Sequence, residues 1–388
     1  MLEADDKKTC SVAARRAAIP VYRRKTMISL TAPGLSSREP ETAVERPRIP
    51  EVVTNKTFVF VDYMKCIGIL LIVYGHLPVN EFEYHFLWTF HVPAFFWISG
   101  FLTRPDHVKV EIRKKAFRLL IPYVSIYVIT ACVQALLTLQ ETREFSSSNF
   151  GLTLLAMFWG NPGYGYFPNM PLWFLPSLFT VEILFGLSAT RWRWVLLAAP
   201  VISVWLYTHQ IVDTFMSVDL SLLGLNFFVL GFAMRTCHVA QRLQSAPTVC
   251  LLGLAGLAFA SVWWLAAAGN LWFEGNSLPG YLASFAGGVI GTMMLVAIGI
   301  LCEKWFGKSR FVTYISRNTL LILGFHFLSN KYCQDIVDAV IRIDPAIIDA
   351  WQLSPLMTLA YSCASILLLM PLIVVINRWC PQIGGRPN

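Results

Sequence analysis

From Phe58 onward the chain alternates long apolar blocks with short polar ones. An α-helix that crosses a bilayer core needs about 20 consecutive apolar residues. Runs near that length fall at about 58–76, 84–103, 117–139, 172–190, 193–209, 219–236, 248–269, 280–302, 312–329 and 354–377. The pattern predicts an all-α membrane protein, a polytopic bundle of about ten transmembrane helices. A shorter run at 150–160, FGLTLLAMFWG, is too brief to span and reads as an interfacial or re-entrant piece. No internal repeat marks a transporter built from two related halves.

The positions of Lys and Arg orient these spans. The loop after the second carries Arg104, Lys109, Arg113, Lys114, Lys115 and Arg118. Later even-numbered loops hold Arg191 and Arg193, then Arg235 and Arg242, then Lys304, Lys308 and Arg310; Arg378 and Arg386 follow the last span. The odd-numbered loops are nearly bare, with Arg143, Lys331 and Arg342 alone. By the positive-inside rule the N-terminus and the C-terminus are both cytoplasmic, and the protein is expected as a multi-pass protein of the cell (inner) membrane.

Composition agrees with this reading. Of 388 residues, 56% are hydrophobic and 14% charged, and mean hydropathy is +0.56, which excludes an ordinary soluble domain. The net charge is +8, with 11 of the 31 Lys and Arg in residues 1–57. That basic tail has no apolar run of signal-peptide length; it reads as disordered, or as an overlong start if Met27 begins the chain. The basic residues lie beside membrane segments and interleave with no foldable soluble module, so the bilayer is the expected partner and nucleic acid is not. Residues 58–377 form the expected membrane domain and 378–388 a short cytoplasmic tail. The nine cysteines show no metal-ligand spacing and read as small buried hydrophobes.

Ionisable residues inside spans are costly and mark function by default. They are Asp62, Lys65, His76, His91, Glu182, Arg317 and His326. In KCIGILLIVYGH, eleven positions separate Lys65 from His76, about 1100° of helix or three turns plus about 20°, so both share one face. They stand about 16 Å apart along the axis. Asp62 lies about 40° off the same line and three residues before Lys65, where an i,i+3 ion pair would hold the lysine charged. His91, in FHVPAFFWISGFL, lies at the same depth as His76, and two imidazoles together suggest an outward-facing acid/base site. Arg317 lies near the cytoplasmic side, where a cation meets phosphate well. The outward loop GNPGYGYFPNMP leads to Trp173 and brings Tyr164, Tyr166 and Phe167 with it; these rings suit either sugar stacking or the ordinary interfacial aromatic belt. Packing readings also stand: Lys65 snorkelling, His76 ending a helix, His326 in the core, Arg317 obeying loop charge. No GxSxG, HExxH, Walker A or GxGxxG pattern occurs. Acid/base chemistry, or proton-coupled movement of a substrate, is what remains.

DYMKCIGILLIVYGH, FHVPAFFWISGFL, PLWFLPSLF and ISRNTLLILGFHF resemble, in order, the motifs of the acyltransferase 3 family of integral-membrane O-acyltransferases, closest to its fucose 4-O-acetylase-like branch. The family's first-helix signature is a basic residue, ten residues and a histidine; Lys65 stands where many members carry Arg. The resemblance implies transfer of an acyl group, usually acetyl from acetyl-CoA, to a hydroxyl of a surface or exported glycan or lipid-linked sugar. Acyl-CoA would be a donor substrate, with no permanently bound cofactor and no metal. It implies His76 as the catalytic residue with Lys65 and His91, and Arg317 with Lys65 on the donor side. Asp62, Glu182, Trp173 and His326 are left as candidate substrate contacts. Glycan-assembly proteins are possible partners on this reading. Three rivals stay open: a proton-coupled transporter or flippase, a member moving another acyl group such as succinyl, and an inactive scaffold.

Overall fold

The computed structural model describes residues 58–104, 111–209, 211, 213–268, 278–341 and 354–386. The basic segment 1–57 lies outside the described residues, as do Lys109 and Arg342. The described elements are helical, with no strand among them. In chain order they are α1 Val59–Gly75, α2 Glu81–Trp88, α3 His91–Leu102, α4 Ile112–Thr142, α5 Ser147–Trp159, α6 Phe174–Ser188, α7 Trp192–Thr208 and α8 Val218–Thr236. There follow α9 Val239–Ser245, α10 Thr248–Ala267, α11 Leu278–Phe306, α12 Arg310–Arg317, α13 Thr319–Ile341 and α14 Pro355–Trp379.

Among the described residues, six helical runs have the length and composition to cross a membrane: Ile112–Gln140, Met170–Thr208, Phe215–Thr236, Thr248–Ala267, Leu278–Phe306 and Pro355–Trp379. α12 and the first part of α13 make a seventh if the pair, bent by 79°, is counted as one broken span. The two expected spans at 172–190 and 193–209 correspond to α6 and α7, and the 3-10 turn Ala189–Arg191 between them reverses the chain: along α8, Ser177 and Phe185 of α6 meet Ser221 and Phe232, whereas Trp192 and Ser203 of α7 meet Phe232 and Leu222. The expected span at 84–103 is broken. Asn80 and Glu83 close a capping box that starts α2, and the backbone turns at Phe90 (φ −137°, ψ −18°) before α3 begins. Pro93 gives the reason: its ring has no N–H to bond the carbonyl of Thr89, so one continuous helix is disfavoured, whereas proline in the first turn of a new helix is tolerated.

Two apolar clusters meet on α1. Phe60 and Met64 join Phe96, Trp97, Phe228 and Val296 on one side; Ile69 and Val73 join Tyr127, Ile322 and Ile373 on the other. α1 is thus the central post. At one end of the bundle, hydrogen bonds close the helix termini. Arg235 Nη1 donates to Phe101 O at 2.9 Å near the end of α3, Tyr63 donates to Gly307 O at 3.1 Å, and Lys304 Nζ to Ala246 O at 2.6 Å. Cations on C-terminal carbonyls satisfy unpaired acceptors and the helix dipole together. The cysteines differ from expectation: Cys333 is buried, but Cys132, Cys250 and Cys363 are exposed on apolar helices, where a thiol meets lipid at little cost, and Cys237 and Cys380 are exposed just past helix ends; Cys10 lies outside the described residues.

Candidate active site

A cavity of about 780 Å³ runs beside α1. Asp62, Lys65, Ile69, Ile72 and His76 line it from α1. Their spacing of three and four residues is one face of a helix, so the stripe is continuous, with two isoleucines filling the gap between cation and imidazole. α3 runs the other way along the opposite wall with His91, Phe95, Ile98 and Leu102. His91 therefore joins the His76 end, and Arg104 just beyond α3 joins the Lys65 end.

At the imidazole end, His76 caps α1, and its ring Nδ1 lies 2.7 Å from Ile72 O. A carbonyl only accepts, so Nδ1 carries the proton and, in the neutral ring, Nε2 carries the free lone pair. His91 has the same arrangement, Nδ1–H to Leu87 O. Trp88 sits between them, its ring 5.6 Å from that of His76 and 5.1 Å from that of His91. His326 does not line the cavity. It is fully buried, donates from Nδ1 to Leu323 O at 2.8 Å, and packs its ring 5.0 Å from the His76 ring.

The cationic end gathers Lys65, Arg104, Lys114, Lys115, Arg118, Arg317 and Arg386 against Asp62, Glu111 and Glu182. The expected Asp62–Lys65 ion pair does not form among the described residues. Asp62 instead accepts hydrogen bonds from Ser316 at 2.6 Å and Thr313 at 3.3 Å, both on α12. Hydroxyls from a neighbouring helix thus satisfy the carboxylate, and Lys65 keeps its ammonium for the cavity. Glu182, an ionisable residue inside an expected span and a candidate substrate contact, pairs with Lys115 at 2.6 Å; the two side chains are 10% and 22% exposed. Arg317 ends α12 at the bend, with an exposed side chain along the cavity wall.

Trp173 is buried in the wall, on the 3-10 turn Met170–Trp173. Phe167 packs 5.0 Å from the Tyr127 ring, while Tyr166 remains exposed; the Tyr164 side chain lies outside the described residues.

Sequence reasoning passed over Trp88 and gave no role to Arg386. Trp88 had a usable signal, three residues before His91. Arg386 had none, because it reaches the site only through folding of the segment after α14.

The Lys115–Glu182 pair is the least solvated ion pair here. Glu182→Gln is expected to lower the melting temperature in detergent, since removing one partner of a mostly buried pair leaves an uncompensated charge and costs about 3–5 kcal/mol at full burial, less at this exposure. Lys115→Met with Glu182→Leu is expected to recover most of the loss; an unchanged melt of the single variant would show the pair to be idle.

A family model described as an acyltransferase domain matches residues 58–375 of the chain. The chain belongs to the acyltransferase 3 family. The matched region holds every cavity-lining residue named above except Arg386. This acyltransferase is therefore a multi-pass membrane enzyme by family and by its apolar helices. No curated protein and no solved structure gives a significant match to it.

Proposed function

We propose that the protein moves an acyl group, acetyl above all, from acyl-CoA to a hydroxyl of a cell-surface or exported glycan or glycolipid, within the fucose 4-O-acetylase-like branch. One observation carries the reading: a single cavity has a cluster of cations at one end and two imidazoles with free Nε2 atoms at the other. The ends stand about 16 Å apart along α1. Coenzyme A has the same polarity, with phosphates at one end of an extended arm and the thioester at the other.

In this reading Lys65 and Arg317 hold donor phosphates, and the apolar stretch at Ile69 and Ile72 receives the arm. Nε2 of His76 takes the acceptor hydroxyl proton as that oxygen bonds to the thioester carbonyl carbon. The same nitrogen returns the proton to the departing thiolate, so the imidazole is regenerated. His91 orients the acceptor or polarises the thioester carbonyl. Trp173 offers a ring face to sugar. In this reading the protein sits in the inner membrane, and the positive-inside rule turns the cationic end and both termini to the cytoplasm and the imidazoles toward the outer leaflet. The ten-span count then requires α1 and the α2–α3 pair to be membrane-embedded and α6 and α7 to cross separately.

Mass spectrometry of surface glycan from a deletion strain tests the reading. Loss of an O-acyl group supports it; loss of the whole polymer favours export, and an unchanged glycan rejects both. Lys65→Ala is expected to raise the KM for acetyl-CoA about tenfold, the loss of one charge-assisted contact, with Lys65→Arg close to wild type. Equal KM values in all three proteins would remove Lys65 from the donor site.

A further inference from the structure

Residues 378–388 read from sequence as a short tail, yet the described part of this segment folds into the site. α14 continues to Trp379, and the 3-10 turn Pro381–Gly384 brings the chain back under α4. Gly385 holds a left-handed backbone (φ +71°), and a Cβ there would collide with Arg118 O. Only glycine therefore lets the segment lie this close to α4. Arg386 follows immediately.

Its guanidinium makes three hydrogen bonds. Nη1 donates to Asn377 Oδ1 at 2.8 Å, and Nη2 donates to Arg317 O at 2.8 Å and Asn318 Oδ1 at 3.0 Å. Asn377 Nδ2 donates to the same Asn318 oxygen at 2.9 Å, and Asn318 is buried. This network sits on the 79° bend between α12 and α13. The last carbonyls of a helix lack intrahelical donors, and a cation there also meets the negative end of the helix dipole. α12 is thus pinned twice: through Thr313 and Ser316 to Asp62 on α1, and through Arg317 O and Asn318 to Arg386. Between the two pins lies the residue whose side chain leaves toward the cavity, Arg317.

We infer that Arg386, outside the family-matched region, is a positioning residue for the cationic end of the site. By closing the bend at Asn318 it sets where α12 stops, and so aims the Arg317 guanidinium into the cavity toward donor phosphate. The inference rests on the donor reading of Arg317 given above.

A double-mutant cycle on coenzyme A affinity, measured by equilibrium binding to the full chain in detergent, tests it. Arg317→Ala and Arg386→Ala are each expected to weaken binding about tenfold. The double variant is expected to bind like Arg317→Ala alone, because Arg386 acts through a group that is no longer there. Arg386→Lys is expected to stay weak, since one ammonium cannot reproduce a planar fork shared among three acceptors. Should Arg386→Ala not fold, Arg386→Gln runs the same cycle. Additive losses overturn the positioning role and leave the donor reading intact, as does wild-type affinity in the Arg386 variants or full rescue by lysine. Wild-type affinity in Arg317→Ala removes the donor reading and this inference with it.

Discussion

Replacing His76 by alanine is expected to lower acyl transfer about 10²–10⁴-fold, the usual contribution of a positioned general base. Affinity for coenzyme A should stay within about twofold, because the phosphate-binding cations stand about 16 Å away along α1. His76→Gln should be as inactive as His76→Ala: an amide N–H can still reach the Ile72 carbonyl that His76 now bonds, but no basic nitrogen faces the cavity. The measurement is label transfer from acetyl-labelled acetyl-CoA to the glycan fraction of membranes with matched protein levels. Wild-type transfer by either variant rejects His76 as the base. A matching rise in the coenzyme A dissociation constant would instead place His76 in donor binding.

The second large effect concerns the wall that carries His91. α3 and α8 cross at van der Waals contact of backbones: a Cβ at Gly100 would overlap Phe228 O, and one at Gly231 would overlap Trp97 O. Those neighbours are main-chain atoms, so no rotamer change relieves the clash. Lipid offers helices no hydrophobic gain over each other, and close packing of small residues is what holds such a crossing. Gly100→Val and Gly231→Val are each expected to cost about 1–3 kcal/mol or more, seen as a lower melting temperature in detergent and loss of transfer as α3 moves off the cavity. Gly253 and Gly256 on α10 have nothing within 4 Å of an added Cβ. Alanine at these two sites should be neutral or stabilising by up to about 1 kcal/mol each, the helix-propensity difference. Equal melts for the two sets of variants would show that the α3–α8 contact is looser than its geometry.

Much of the site was legible before folding. Spacing within a helix follows from covalent geometry, so Asp62, Lys65 and His76 fall on one face whatever surrounds them, and they line one cavity here. The all-helical class and the membrane setting were legible too, because apolar length alone decides them. The span count was less secure: hydropathy registers composition and not continuity, so it joined α2 to α3 across the turn that Pro93 favours. Partners were not legible at all. Asp62 looked matched to Lys65 three residues on, yet it bonds Ser316, 254 positions away. Glu182 had no assigned partner and pairs with Lys115; of the two readings open for His326, core packing and substrate contact, the structure has it buried behind His76. Such choices depend on which helices touch and where they stop, which the Gly100–Gly231 crossing and the bend at Asn318 decide. By itself the sequence determined which chemistry sits on α1 and in what order. Tertiary structure alone decided what that face looks onto, because a cavity is bounded by residues far apart in the chain.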